Sequence, residues 1–379
     1  MPVAVEGFKG RLLDADSHIE LPPPMWDEAI GPVFAGMMRA RLQRAMAHSP
    51  AVADRFRMAM AASPAEPDES TIWERKMWAA PGAHDPEKRL RAVDLLGVER
   101  QLLFPMAVPA AMMLANHELS AQVAETHNTF VLSWAGGAGG RLRPVAVINM
   151  EELDRALAEA RRVADLGAYA FNVGCGRPPA GLSPADPAWE PLWDLAEQAG
   201  IPVLLHIGGE FGLVPNAWGD AELLRAGHST PLDGEGTGPF NLSVTPFGPQ
   251  AFLTALILGG VLERHPDLHL GVIEMTAQWV GPFAEMLDQR FDLFTRLGKV
   301  LSMRPSEYIA RQVRVTPFWW EPVGKYIERY GLEDVYVFST DFPHVEGGTE
   351  PLQRFHASLA GHPDEVYEKF FVTNARLIV

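Results

Sequence analysis

Short apolar runs alternate with helical patterns along almost the whole sequence. Eight such runs occur, and several are apolar nearly throughout, which is typical of parallel strands that are buried on both faces. The runs are residues 11–16, 100–105, 143–149, 168–173, 201–207, 268–274, 312–317 and 335–340. Helical patterns lie between them, as in residues 150–166 and 187–199, each followed by a glycine that can cap a helix. This alternation predicts an α/β fold, a (β/α)8 TIM barrel.

Two long segments exceed the minimal strand–helix unit. Residues 22–90 and 208–250 each follow a predicted strand, so both would emerge at the C-terminal face of the barrel, where insertions build lids and pockets. We therefore predict one domain over residues 1–379 with helical and loop insertions at this face. A doubly wound open sheet is the alternative, but no phosphate-binding glycine fingerprint follows the first strand.

The charge and the apolar runs restrict the partners. The 48 acidic and 32 basic residues give a formal charge of −16, which repels phosphate backbones and argues against nucleic acid. The longest apolar run is too short to span a bilayer, so we expect no membrane partner. The first ten residues lack the layout of a signal peptide, and the lone Cys175 suits a reducing compartment; both predict a cytoplasmic location. The expected partner is a small-molecule substrate, and the Met- and Ala-rich residues 34–61 could form a homodimer surface.

Metal-competent side chains stand at the ends of several predicted strands. Asp16 and His18 follow the first strand, His206 ends the fifth, and Asp341 follows the eighth. In a barrel these ends share one mouth, so the four side chains would converge. Two carboxylates and two imidazoles suit Zn²⁺, Mn²⁺ or Fe²⁺, and a cation would offset the negative charge crowded into the stretch "DADSHIE". Asp14, in the same stretch, is expected to accept hydrogen bonds from backbone amides.

Two further residues are candidates for proton transfer. Glu274 ends the sixth predicted strand, and His344 lies just beyond the eighth. Several of the candidate ligands and proton carriers also have a structural explanation when each is taken singly. His206 could be a buried core histidine, Asp341 a turn former and His344 a solvated loop residue. Glu20 could be a loop carboxylate or a support for the ligands. The joint placement of these residues at one face is what favours a metal site.

Four stretches resemble a known family. They are "LLDADSHIELPPPMW", "PVLLHIGG", "ERHPDLHLGVIEMTAQWV" and "FSTDFPHVEGG", in this order. The chain is similar to the amidohydrolase-2 group of the amidohydrolase superfamily, which includes proteins like aminocarboxymuconate-semialdehyde decarboxylase. The resemblance runs from about residue 11 to residue 376. It implies a (β/α)8 barrel with a divalent metal at its mouth.

The resemblance carries over to single residues, with two departures. His206 and Asp341 match the family's histidine and aspartate at strands five and eight. The family's His-x-His after the first strand is replaced by Asp16 and His18, and its Ala-His pair at strand six by an isoleucine and Glu274. We predict one divalent metal, with zinc first and manganese or iron as alternatives, because a carboxylate in place of a histidine makes the site richer in oxygen.

Hydrolysis is the main functional prediction. A metal-activated water would attack an amide, ester or lactone of a small organic substrate. Asp341 would bind the metal and accept the proton of the water, while Glu274 would be a second proton carrier or a further ligand. His344 would orient the substrate or donate a proton to the leaving group.

Two other functions remain open. The same parts could carry out non-oxidative decarboxylation of an aromatic or unsaturated carboxylate, for which the pocket should offer a cationic clamp. Arg177, Arg311 and Arg314 are the candidates for this clamp. Alternatively, the barrel could be catalytically inert and act as a binding protein.

Overall fold

Seven parallel strands are hydrogen-bonded side by side in chain order. The structure is a computed structural model that describes residues 5–61, 66–105, 116–224 and 238–379. The strands are β1 Leu12–Asp14, β2 Val98–Leu103, β3 Leu142–Val147, β4 Ala170–Asn172, β5 Val203–His206, β6 Leu270–Ile273 and β7 Val313–Val315. Each overlaps one of the predicted runs, and the order expected of a TIM barrel is confirmed.

The eighth predicted strand closes the ring without being a regular strand. Residues 335–342, here called the closing segment, make isolated bridges instead of a continuous ladder. On one side, the amide of Val337 donates to the carbonyl of Val315 in β7 at 3.1 Å. On the other side, the amide of Ala15 donates to the carbonyl of Phe338 at 3.1 Å. The segment is thus bonded to both β7 and the residues that follow β1, which completes the barrel.

Helices surround the sheet and fill the segment after β1. The α-helices of the described residues are Trp26–Ile30, Pro32–His48, Pro50–Ala61, Pro86–Leu96, His117–Ala135, Leu153–Asp165, Glu190–Ala199, Pro239–Val244, Phe247–Leu258, Val261–Arg264, Val280–Leu293, Pro305–Gln312, Val323–Tyr330, Pro351–Ser358 and Asp364–Glu368. The two helical patterns predicted at 150–166 and 187–199 are confirmed. No helix among these combines the length and the apolar character that crossing a membrane requires.

Apolar side chains form two layers. One layer fills the barrel interior with side chains that include Leu13, Leu102, Val145, Leu204 and Ile273. The other, larger layer lies between the outer faces of the strands and the surrounding helices. Because the strands are buried on both faces, their sequences are apolar at successive positions, as the sequence pattern indicated.

The insertion after β1 is mostly helical. Its first helices form a separate apolar cluster, in which Trp26 and Phe34 pack with Val123 of the helix His117–Ala135. The chain then returns towards the barrel mouth, where the amide of Met77 donates to the carbonyl of Pro343 at 2.9 Å. The second predicted insertion, residues 208–250, lies partly outside the described residues. The single-domain boundaries stay a prediction.

Candidate metal centre

The four predicted ligands lie together at the mouth of the barrel. Asp16 and His18 follow β1, His206 is the last residue of β5, and Asp341 lies near the end of the closing segment. All four side chains are almost completely buried. In the parallel pairing of β5 and β6, His206 lies opposite Ile273, which brings Glu274 to the same level.

The ligand atoms approach one another closely. The separations are 3.2 Å for His18 Nε2 to Asp16 Oδ1, 3.3 Å for His18 Nε2 to Asp341 Oδ1, 3.5 Å for His206 Nε2 to Asp16 Oδ1 and 3.5 Å for His206 Nε2 to Glu274 Oε2. Two atoms that bind one ion at 2.0–2.2 Å with angles of 90–110° lie about 2.8–3.6 Å apart. The observed spacing therefore fits a shared divalent cation.

The hydrogen bonding of the cluster also fits a cation. Asp16 Oδ1, His18 Nε2 and His206 Nε2 are buried, and within the described residues none has a hydrogen bond of ordinary geometry. Buried polar atoms normally have such partners. The other ring nitrogen of His206, Nδ1, lies 3.0 Å from the carbonyl of Ile207 and can donate to it. This bond leaves Nε2 free of a proton, as metal-binding imidazoles require.

Glu274 and His344 extend the cluster. One group of four ligand atoms within 4.8 Å comes from Asp16, His18, His206 and Glu274, and a second comes from His18, Glu274, Asp341 and His344. All of these side chains are buried. The structure therefore brings together the four predicted ligands and the two candidates for proton transfer, while their individual roles remain proposals.

Charges within the cluster set its protonation. Burial alone would raise the pKa of Asp16 and Asp341, but the neighbouring imidazoles hold the pKa of both carboxyls below its usual range. Burial would likewise lower the pKa of His344, yet Asp341 and Glu20 raise that pKa well above its ordinary value. Ionised carboxylates thus stabilise positive charge among them. A bound cation would take over this role, which couples metal binding to proton release.

Two site carboxylates sit on strained backbone. Glu274 has φ 57° and Asp341 has φ 50°, in the left-handed region that non-glycine residues rarely adopt. Hydrogen bonds from their backbone amides hold both residues in place. The amide of Glu274 donates to Thr316 Oγ1 and the amide of Asp341 donates to the carbonyl of Asp16, each at 2.8 Å. Such strain is common at functional sites, because it points a side chain in a direction that a regular strand does not allow.

A line of three side chains leads from the metal-competent cluster to Glu20. His344 Nδ1 lies 3.1 Å from Asp341 Oδ1, and His344 Nε2 lies 3.2 Å from Glu20 Oε1. The His344 ring stacks on the ring of His18 with 3.7 Å between centroids. From the sequence, Glu20 is a loop carboxylate or a support for the ligands, and this contact with His344 is not predicted. The alternate spacing in "DADSHIE" was the only signal for it.

Aromatic and small residues enclose the space beside the cluster. A small cavity there is lined by Asp16, Glu274, Thr316, Pro317, Phe318, Trp319, Ser339, Thr340, Asp341, Glu346, Gly347, Pro351 and Phe355. Gly347 is required there, because a Cβ atom at this position would lie 2.2 Å from the carbonyl oxygen of Thr340. Phe318, Trp319 and Phe355 give this space an apolar, aromatic wall.

The three arginines predicted as clamps do not reach this cluster. Arg177 is about half exposed and pairs with Glu151, with 3.4 Å between Nη1 and Oε1. Arg311 donates to the carbonyl of Leu262, and Arg314 donates to the carbonyl of Asn374.

A cation that the sequence did not predict lies closer to the cluster. Lys76 Nζ donates to the carbonyl of Gly348 at 2.5 Å, and the charges that act on its ammonium are those of Asp341 and Glu346. No local pattern marks this lysine, because only the return path of the insertion brings it to the mouth.

Comparisons with known proteins agree with this geometry. The sequence model of the amidohydrolase family matches residues 15–378. An amidohydrolase from Mycobacterium avium subsp. paratuberculosis K-10 has 21% sequence identity and a TM-score of 0.65, over 79% of this chain and 75% of that one. A comparison with curated proteins finds no significant match.

Two decarboxylases share the fold over nearly their whole length. The 5-carboxyvanillate decarboxylase from Sphingomonas paucimobilis has 16% identity and a TM-score of 0.60, over 97% of this chain and 98% of that one. The dihydroxybenzoic acid decarboxylase from Polaromonas sp. JS666, solved with manganese and the inhibitor 2-nitroresorcinol, has 16% identity and a TM-score of 0.61, over 97% of this chain and 96% of that one. At these identities the likeness establishes the barrel architecture.

Proposed function

The chain belongs to the amidohydrolase family and is an enzyme, and from its site we propose that it is a metal-dependent, non-oxidative decarboxylase of an aromatic or unsaturated carboxylate. The observation that carries this proposal is the buried line Asp341–His344–Glu20 beside a small aromatic-walled cavity. Decarboxylation needs an acid that delivers a proton to carbon, and this line provides one in a place shielded from water.

Asp16, His18, His206 and Asp341 would hold one divalent cation, with Glu274 as a further ligand or a proton carrier. When bound, the cation supplies positive charge that binds oxygen atoms of the substrate and stabilises negative charge on them. Zinc remains our prediction for its identity, with manganese and iron as alternatives. The donor set of carboxylates and imidazoles fits each of these metals.

The proton follows the three side chains. The bond between the substrate carbon and its carboxylate breaks, carbon dioxide leaves, and the electron pair remains on carbon. The ionised Asp341 takes a proton from His344, whose other nitrogen faces Glu20, and passes it to this carbon. His344 is suited to this relay because each of its ring nitrogens lies near a carboxylate oxygen, so it can hold a proton on both sides.

The cavity walls orient the substrate. Phe318 and Trp319 line one side of the space, and the indole Nε1 of Trp319 donates to the carbonyl of Glu346 at 2.8 Å, which fixes the ring. A planar unsaturated substrate can stack against this wall. The ammonium of Lys76 would pair with a negative group on the substrate, in place of the arginines that the sequence suggested.

The fold likeness to decarboxylases supports this proposal better than the hydrolysis predicted first from the sequence. Hydrolysis remains the second candidate, because a metal-bound site with an adjacent base suits both reactions. The inert-barrel alternative fits poorly with six buried metal-competent side chains that lie together at the mouth.

A substrate panel tests the proposal. The enzyme, loaded separately with Zn²⁺ and with Mn²⁺, is incubated with hydroxybenzoates and with lactones and amides, and carbon dioxide release and hydrolysis are measured in parallel. We expect carbon dioxide from at least one aromatic carboxylate, released at least about 10²-fold more slowly by the Asp341→Asn variant. Hydrolysis of a lactone or amide without carbon dioxide release from any carboxylate would replace the proposal with the second candidate. Elemental analysis of the protein as isolated tests the prediction of zinc.

The homodimer also remains a proposal. In the segment 34–61, Met37 is 46% and Met58 is 72% exposed, and apolar area of this kind is often buried between subunits. Light scattering of the purified protein distinguishes a dimer from a monomer. The cytoplasmic location likewise stays a prediction.

A further inference from the structure

A wholly buried arginine lies next to the candidate metal centre. Arg89, in the helix Pro86–Leu96, is 0% exposed. Burying a guanidinium is costly unless its N–H groups are paired, so its contacts identify what it stabilises.

The guanidinium bonds to both segments that carry the ligands. Arg89 Nη2 donates to the carbonyl of His18 at 2.9 Å and to the carbonyl of Phe342 at 3.2 Å. The guanidinium carbon also lies 4.7 Å from the centre of the Phe342 ring. His18 belongs to the loop after β1, and Phe342 directly follows Asp341. One side chain therefore ties the first ligand segment to the last.

A second path leads from the same arginine through the barrel. Arg89 Nε donates to Gln101 Oε1 at 2.6 Å, and Gln101 Nε2 donates to Asp14 Oδ2 at 3.0 Å. Asp14 in turn accepts from Thr340 Oγ1 at 2.6 Å and from the Thr340 amide at 2.8 Å. Thr340 directly precedes Asp341, so this path also ends at a ligand.

These bonds hold together the seam, which is the contact between the loop after β1 and the closing segment. His18 Nε2 and Asp341 Oδ1 lie only 3.3 Å apart, although more than 300 residues separate them in the chain. The closing segment makes isolated bridges and not a continuous ladder, and three backbone hydrogen bonds join it to this stretch, from the amides of Ala15, His18 and Asp341. Arg89 adds two side-chain bonds at the same place, and the Phe342 carbonyl that it reaches also accepts from the His18 amide. A change of a few tenths of an ångström here would alter the spacing of the ligand atoms.

We propose that Arg89 is a positioning residue for metal binding: it fixes the loop after β1 against the closing segment, and so holds His18 and Asp341 at the separation that a divalent cation requires. This inference rests on the metal centre of the proposed function and not on the decarboxylation step. Groups that orient metal ligands typically change metal affinity or activity by about 10- to 100-fold when they are removed.

Arg314 provides a matched control. It is also buried, at 6% exposure, and its guanidinium donates to three backbone carbonyls, those of Asn374, Ala310 and Val313. None of these residues belongs to the candidate metal centre. Replacing Arg314 with methionine removes a comparable set of buried bonds elsewhere in the barrel.

The experiment compares Mn²⁺ affinity with stability. Wild type, Arg89→Met and Arg314→Met are stripped with a chelator and titrated with Mn²⁺ by calorimetry, and the free energy of unfolding of the stripped proteins is measured in urea. We expect the Mn²⁺ dissociation constant of Arg89→Met to rise by about 10- to 100-fold, while that of Arg314→Met stays within about threefold of wild type. Both variants should lose stability.

Several results would overturn the inference. A folded Arg89→Met with the wild-type dissociation constant would do so, as would an equal loss of Mn²⁺ affinity in Arg314→Met. Should Arg89→Met fail to fold, Arg89→Lys decides, because lysine keeps the charge but cannot bond to Gln101 and both carbonyls at once. A loss of about tenfold in its affinity supports the inference, and a wild-type affinity overturns it. Wild type that binds Mn²⁺ without releasing carbon dioxide from any carboxylate would overturn the proposed function alone.

Discussion

The two halves of the barrel mouth differ in chemistry. Around β1, β5, β6 and the closing segment, buried carboxylates and imidazoles approach within 3.5 Å of one another. At the ends of β3 and β4, the buried polar side chains are amides, Asn149 and Asn172. The side-chain Nδ2 of Asn149 donates to the Ser120 hydroxyl at 2.9 Å, and its Oδ1 accepts from the amide of Glu151 at 3.0 Å.

The second half instead offers space. An open cleft lies among the loops after β3, β4 and β5, lined largely by glycine, proline and Asn149, with the paired Arg177 and Glu151 as its charged residues. The difference indicates that the chemistry is confined to one side of the mouth. Ligand atoms must converge on one point, whereas the body of a substrate needs only room and shape. Four substitutions test this division.

Replacing His206 with alanine should remove both metal and activity. The loss of one imidazole from a cluster of this size leaves neighbouring carboxylates without a shared cation, and we expect turnover to fall on the order of 10³-fold or more. Metal content and carbon dioxide release are measured together. His265→Ala is the control, because His265 is also buried but bonds to Glu190 and Glu197 away from the mouth. Full metal content in His206→Ala would exclude His206 as a ligand.

Replacing Asp341 with asparagine should reduce turnover by about 10²- to 10⁴-fold, because asparagine cannot transfer a proton to carbon. The amide is nearly the same size as the carboxyl, so circular dichroism and the unfolding transition should stay close to those of wild type. Steady-state kinetics with the best substrate of the panel measures the effect. Wild-type rates in this variant would remove Asp341 from the mechanism.

Replacing Lys76 with methionine should raise KM by about tenfold and leave kcat and metal content nearly unchanged, because the variant loses the ammonium near Asp341 and Glu346 but no proposed ligand. Lys88→Met is the control, since Lys88 pairs with Glu66 at 2.7 Å on the surface. A fall in kcat with unchanged KM would contradict a role in binding the substrate's charge.

Replacing Arg177 with alanine should change KM and kcat by less than about threefold. Arg177 is about half exposed and already pairs with Glu151, and exposed ion pairs contribute little. The measurement uses the same substrate and metal as for Lys76→Met. An increase in KM as large as that of Lys76→Met would show that the second half of the mouth binds the substrate's charge, and the division drawn above would fail.

Local sequence patterns predicted much of this molecule. The apolar runs identified all seven regular strands because buried parallel strands need apolar residues at successive positions. The polar residues that follow those runs identified Asp16, His18, His206 and Asp341, because the ends of parallel strands share one face. Their convergence followed from the fold class alone.

Other features gave no local signal. The closing segment reads as a strand, yet it is joined to the three-residue β7 and to the residues after β1 by isolated bridges and not by a continuous ladder. Lys76 and Arg89 look like ordinary surface residues in the sequence. Their positions depend on the path by which the insertion returns to the barrel, which no short-range periodicity encodes.

Strand and helix periods and the chemistry of strand ends are local properties, so they predicted the barrel and the set of residues at its mouth. Tertiary packing sets which atoms approach within bonding distance, as in the pairing of His344 with Glu20, the ammonium of Lys76 near Asp341, and the buried bonds of Arg89 across the seam. These contacts join residues that are far apart in the chain, and their distances are set by how the insertion and the closing segment pack.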